Sequence, residues 1–71
     1  ERLGVDLILL HDAVTRLAEF DQRRARVLEL RFFGGLTEEE AARAIGISVA
    51  TIRRDMRVAE AWLARELSGS S

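Results

Sequence analysis

Hydrophobic residues along this chain recur at helical spacing, in four stretches divided by short polar or glycine-containing breaks. Proline is absent and no four-residue stretch alternates cleanly with β-branched residues, so strands have little support. The first stretch predicts a helix over about 6–19, with Leu10, Val14 and Leu17 at i, i+4 and i+7 and Asp6 as candidate N-cap. Phe20 and Asp21 end it. Asp21 can cap a second helix over about 22–33, expected to bury Val27, Leu28, Leu30 or the Arg31 stem, Phe32 and Phe33. Gly34 and Gly35 stop that helix, since glycine readily takes the positive φ of a helix C-terminus.

Thr37 followed by Glu38, Glu39 and Glu40 reads as a capping box with three acids in the first turn, where the helix dipole favours them. Capping accounts for these glutamates fully, and they are not taken as catalytic carboxylates. The third helix is short, about 38–45, Gly46 ends it, and Ser48 caps a fourth over about 49–67. Two helices joined by Gly46-Ile47-Ser48 carry a helix-turn-helix pattern. Ala41 and Ala42 are small enough for the second helix to cross closely, Gly46 tolerates φ > 0, and Ile45, Ile47 and Ile52 pin the pair around the turn. The fold class that follows is all-α, with four helices and a winged-helix-like three-helical core lacking the wing.

At 100° per residue with Ile52 as zero, Val49, Met56, Ala59 and Leu63 fall between about −20° and 60°, a narrow apolar stripe. Arg53, Arg57, Ala50 and Arg54 fall between about 100° and 200°, facing away from the core. Most charge runs are solvated faces; joined to the turn pattern, this one points to DNA, with Ala50 small enough to let a groove approach.

Composition narrows the classes. Seventy-one residues make one small domain, which buries only about 60% of its unfolded surface. The 48% apolar content is too high for a disordered tail, and the 32% charged content too high for a membrane segment. The longest apolar run, Leu7 to Leu10, is far short of a bilayer span, and with no signal-peptide pattern a cytoplasmic setting is the default. With no cysteine and one histidine, disulfide scaffolds and zinc fingers are excluded, and no metal or cofactor is called for. No nucleophile–base pair or phosphate loop supports an enzyme. All eleven basic residues are arginine, which suits phosphate and guanine through its planar fork. The net charge of −1 is polarised: residues 1–40 hold six arginines and nine acids, residues 41–71 five arginines and three acids. The acids of residues 1–40 are therefore expected to face away from a duplex. The chain starts at Glu1 without an initiator Met, so it is expected to be a piece of a longer protein, and residues 68–71 read as a flexible tail after a domain over 1–67.

The run "ELRFFGGLTEEEAARAIGISVATIRRDMRVAEAWLARELSG" resembles region 4 of bacterial RNA polymerase sigma factors of the extracytoplasmic-function (ECF) group. The similarity extends back through "LLHDAVTRLAEFDQRRARVLELR", so it covers nearly the whole chain. It is most similar to the ECF-like subgroup in which a Leu-Arg-Phe-Phe-Gly-Gly run, here residues 30–35, precedes the helix-turn-helix. Met56 stands where Trp is expected in this subgroup, and His11 where an acid is usual. The resemblance implies that the second helix of the helix-turn-helix reads the promoter −35 element in the major groove. Ser48, Ala50, Thr51, Arg53, Arg54 and Arg57 would lie along the groove, with the three arginines as contacts. Thr37, Ala41, Ala42, Ile45, Gly46, Ile47 and Ile52 would build the motif. The implied partners are promoter DNA, the flap of the polymerase β subunit and an anti-sigma protein. Region 2, which melts and reads the −10 element, is missing, so this chain alone is expected not to start transcription.

Two other classes compete. A LuxR-like regulator output domain shares the four-helix layout, but usually has a lysine-rich reader and a separate dimerising helix after it. A pure protein-interaction module would leave the arginines merely solvated. His11 reads as a surface residue rather than a ligand or pH sensor. Trp62 reads first as core, with a patch for polymerase or an anti-sigma protein as the sharper alternative. Leu7 to Leu10 either completes the core or leaves apolar surface that drives self-association.

Overall fold

A computed structural model describes the backbone of residues 2–69 and the side chains of residues 7–68. Among them run α1 (Arg2–Ala18), α2 (Gln22–Leu28), a π-helical turn (Glu29–Phe33), α3 (Glu38–Ile45) and α4 (Val49–Gly69), with no strand. The all-α class follows the helical spacing of the apolar residues. α1 is helical from Arg2, so Asp6 lies inside it and not at its cap; the Asp6 side chain is outside the described residues. α4 reaches Gly69, two residues into the expected tail, while Ser70 and Ser71 are outside the described residues.

Asp21 caps α2, its Oδ1 accepting from the Arg24 N–H at 3.2 Å. The second helix does not stay α-helical to residue 33. Gly34 N–H donates to the Glu29 carbonyl at 2.8 Å, an i→i−5 bond that marks the wide π turn. In an α-helix Phe32 would follow Leu28 by one turn onto the buried face; across the wider turn that place is lost. Phe32 and Phe33 are accordingly 45% and 42% exposed, against the expectation that they are core. His11 is also exposed and meets the Phe33 ring edge-on at 5.9 Å. The two glycines then divide the work. Gly35 takes the positive φ, 69°, whereas Gly34 stays right-handed and is needed because a Cβ there would sit 2.9 Å from the Leu30 carbonyl oxygen.

Two apolar clusters fill the interior. Ala13, Val14 and Leu17 of α1 pack with Ala25 and Leu28 of α2 and with Ala59 and Leu63 of α4. Val27, Ala41, Ala42 and Ile52 form the second cluster, closed by half-buried Leu30, Leu36, Ile45, Ile47 and Val49. Met56 packs against both, so α4 serves the second cluster with its first half and the first with its second. Trp62 is half-buried on the first cluster, edge-on to the exposed Phe20 ring at 5.7 Å. Of the Leu7–Leu10 run, only Leu10 packs on the core; Leu7, Ile8 and Leu9 are exposed.

Among the described residues, one charged side chain lies wholly inside. Asp55 of α4 is 0% exposed. Its Oδ2 accepts from Arg23 Nε at 2.8 Å, and its Oδ1 from Arg23 Nη2 at 2.9 Å and Arg24 Nε at 3.1 Å. Arg24 Nη1 in turn donates to Asp21 Oδ2 at 3.0 Å, which ties the network back to the cap of α2. The Arg23 guanidinium is held protonated more firmly than an ordinary arginine, first by its hydrogen bond to Asp55 and then by that carboxylate's charge. A buried carboxylate is tolerated only when its lone pairs are satisfied, and here three donors do so.

Asp55→Ala is expected to destabilise the fold by about 2–3 kcal/mol, at or below the low end of the roughly 3–5 kcal/mol for a broken buried pair, because both released arginines can reach water. Urea denaturation measures it. Replacing Arg23 and Arg24 together by Met strands the carboxylate inside and should lower the midpoint further.

Candidate nucleic-acid interface

The interface is built on α3, the turn at 46–48 and the first half of α4. α3 starts on a reciprocal capping box, with Thr37 Oγ1 accepting from Glu40 N–H at 3.1 Å and Glu40 Oε1 from Thr37 N–H at 2.8 Å. It ends at Gly46, which has φ 85° and ψ 34°. Gly46 N–H and Ile47 N–H both donate to the Ala42 carbonyl, at 2.8 and 3.1 Å, the bond pattern of a left-handed glycine cap. Ile47 is thereby turned inward onto the cluster of Ala41, Ala42 and Ile52. Ser48 Oγ accepts from Thr51 N–H at 3.1 Å and begins α4. The small side chains at 41 and 42 are buried where α4 crosses, and Ile52 is fully enclosed against them.

With its apolar stripe fixed inward by Ile52, Met56, Ala59 and Leu63, α4 must turn the opposite face to solvent. Ser48, Ala50, Arg53, Arg54 and Arg57 are exposed along it, with Thr51 half-buried. The Ser48 and Thr51 hydroxyls lie 2.9 Å apart and hydrogen-bond each other, so both already serve the cap. Arg54 and Arg57 make no ion pair among the described residues. Arg53, 60% exposed, donates from Nε to Glu38 Oε1 of α3 at 2.9 Å. Not every acid of residues 1–40 therefore faces away from the arginine face: Glu38 sits against it, because the helix crossing brings the first turn of α3 beside Arg53.

The model of the ECF sigma factor family matches residues 4–69. The chain belongs to that family. As an ECF sigma factor chain it acts in transcription initiation, with RNA polymerase and promoter DNA as partners, and its four-helix layout is that of the family's region 4. The match favours the sigma-factor class over the LuxR-like and interaction-only classes. No curated protein and no solved structure matches this sigma-factor chain. No helix among its described residues is long and apolar enough to cross a membrane.

Asp55 is the residue that sequence reasoning missed. It stands among three arginines and reads as one more surface charge, yet on the helical wheel it falls about 60° from Ile52, next to Ala59. An acid on the buried side, with paired arginines at the head of another helix, is the signal that could have found it.

Nothing lies within 4 Å of a Cβ built at Gly46, so a side chain there meets backbone strain and no steric clash. Gly46→Val should therefore lower the melting temperature, at a cost of about 1–2 kcal/mol or more. Gly46→Asn, which tolerates the left-handed region, should recover most of it. Thermal melts of the two variants side by side check this.

Proposed function

We propose that this chain is the promoter −35-binding module of its sigma factor, with α4 as the reading helix in the major groove. Ser48, Ala50, Thr51, Arg53, Arg54 and Arg57 form its DNA-facing edge. The observation that carries the proposal is the outward arginine face on the second helix of a glycine-capped helix pair, locked in orientation by Ile52 and Asp55 behind it. Recognition helices mix base contacts with phosphate contacts, and arginine serves both. The half-buried Trp62 and the exposed Phe20 and Val58 are apolar surface for the polymerase β flap or an anti-sigma protein. The role is binding, in the cytoplasm, without a cofactor.

Net charge −1 fits this role because a module tethered on polymerase gains from effective concentration and needs little affinity of its own. Selection from a randomised DNA pool tests the proposal: one short motif should be enriched. No enrichment, with polymerase binding retained, would leave a protein-interaction module.

Two quantitative outcomes accompany it. Arg→Ala at a base-contacting position among 53, 54 and 57 should cost about 1–3 kcal/mol and relax preference at one base pair. At a phosphate-contacting position it should weaken all sequences alike and reduce the salt slope by about 0.9. The chain itself should bind its preferred duplex at micromolar or weaker affinity in physiological salt, as measured by titration of labelled DNA. Nanomolar binding would overturn the tethering argument.

A further inference from the structure

We propose that Glu38 is a specificity-determining residue that positions Arg53 for base contact and shields it from loose capture by phosphate. The proposal rests on the reading of α4 as the DNA-contacting helix and assigns a role to an acid on the other helix of the pair.

The three acids at the start of α3 are not equivalent. Glu40 is used by the capping box. Glu39 makes no ion pair among the described residues and is explained by the helix dipole. Glu38 alone reaches across to α4, where Oε1 accepts from Arg53 Nε at 2.9 Å. Exposed ion pairs add little to folding stability, so the contact matters more for how Arg53 is presented than for holding the helices together.

Two consequences follow from which nitrogen is engaged. Holding Arg53 at Nε leaves both terminal nitrogens unpaired among the described residues, the edge a guanine O6/N7 pair engages bidentately. Fixing the side chain beforehand reduces the ordering cost of that contact. The same carboxylate offsets the Arg53 charge, so a passing phosphate gains less from it, and non-specific attraction scales with that charge. Glu38 thus trades raw affinity for discrimination.

The 71-residue chain, Glu38→Gln, Arg53→Ala and the double variant are titrated by fluorescence anisotropy against two duplexes over a salt series. One duplex is the sequence enriched from the random pool, the other its scrambled counterpart. Circular dichroism melts of all four verify folding. Glu38→Gln is expected to tighten scrambled-duplex binding by about two- to fivefold, with a smaller gain on the enriched duplex, so that the ratio between them falls. With Arg53 already Ala, the Glu38→Gln gain should disappear. An equal gain with and without Arg53 makes Glu38 a diffuse charge and overturns the proposal, as does an unchanged ratio. Arg53→Ala without effect on either duplex removes Arg53 from the interface and the proposal with it; binding losses in the Arg54 and Arg57 variants would then show whether α4 still reads DNA.

Discussion

The buried carboxylate of Asp55, held between Arg23 and Arg24, is the constraint on which the arrangement of helices depends. Apolar packing alone would let α4 slide or rotate against α2 by small amounts, because dispersion contacts are individually weak and non-directional. A carboxylate with no access to water does not tolerate such movement, since losing any of its donors leaves charge unsatisfied in a dry place. Three donors on two consecutive residues therefore define both the rotation and the axial position of α4. Arg24 extends the constraint to Asp21, so the start of α2, the cap before it and the middle of the long helix form one unit.

From that unit the two ends of α4 take separate tasks. Its first half belongs to the cluster under the helix-turn-helix, its second half to the cluster with α1, and Met56 joins them. At 1.5 Å per residue the helix is about 30 Å long, long enough to run through both clusters. The outward direction of the arginines is thus set from the opposite side of the molecule.

Local chemistry was the legible part of this chain. The bounds of α3 follow from Thr37, Glu40 and Gly46, each acting within a few residues, and the arginine face follows from the helical wheel. What stayed hidden depends on how helices meet. The π turn places Phe32 and Phe33 outward through bonds from Gly34 and Leu36 to Glu29 and Leu30, and no apolar periodicity announces it. The burial of Asp55 needs α2 beside α4, and the approach of Glu38 to Arg53 needs the crossing of α3 over α4. A charge read in one dimension defaults to the surface; only its neighbours in space make it otherwise.

The arginine face of α4 has a chemical consequence as well as a geometric one. With no lysine anywhere in the chain, no ε-amine is present to be acetylated. The single histidine is exposed on α1, and it pairs with a phenyl ring and no member of that face. The charge presented by Arg53, Arg54 and Arg57 is therefore out of reach of lysine acetylation. Changes in acyl-donor supply leave it untouched, while ionic strength and whatever covers it, Glu38 on Arg53 included, still modulate it.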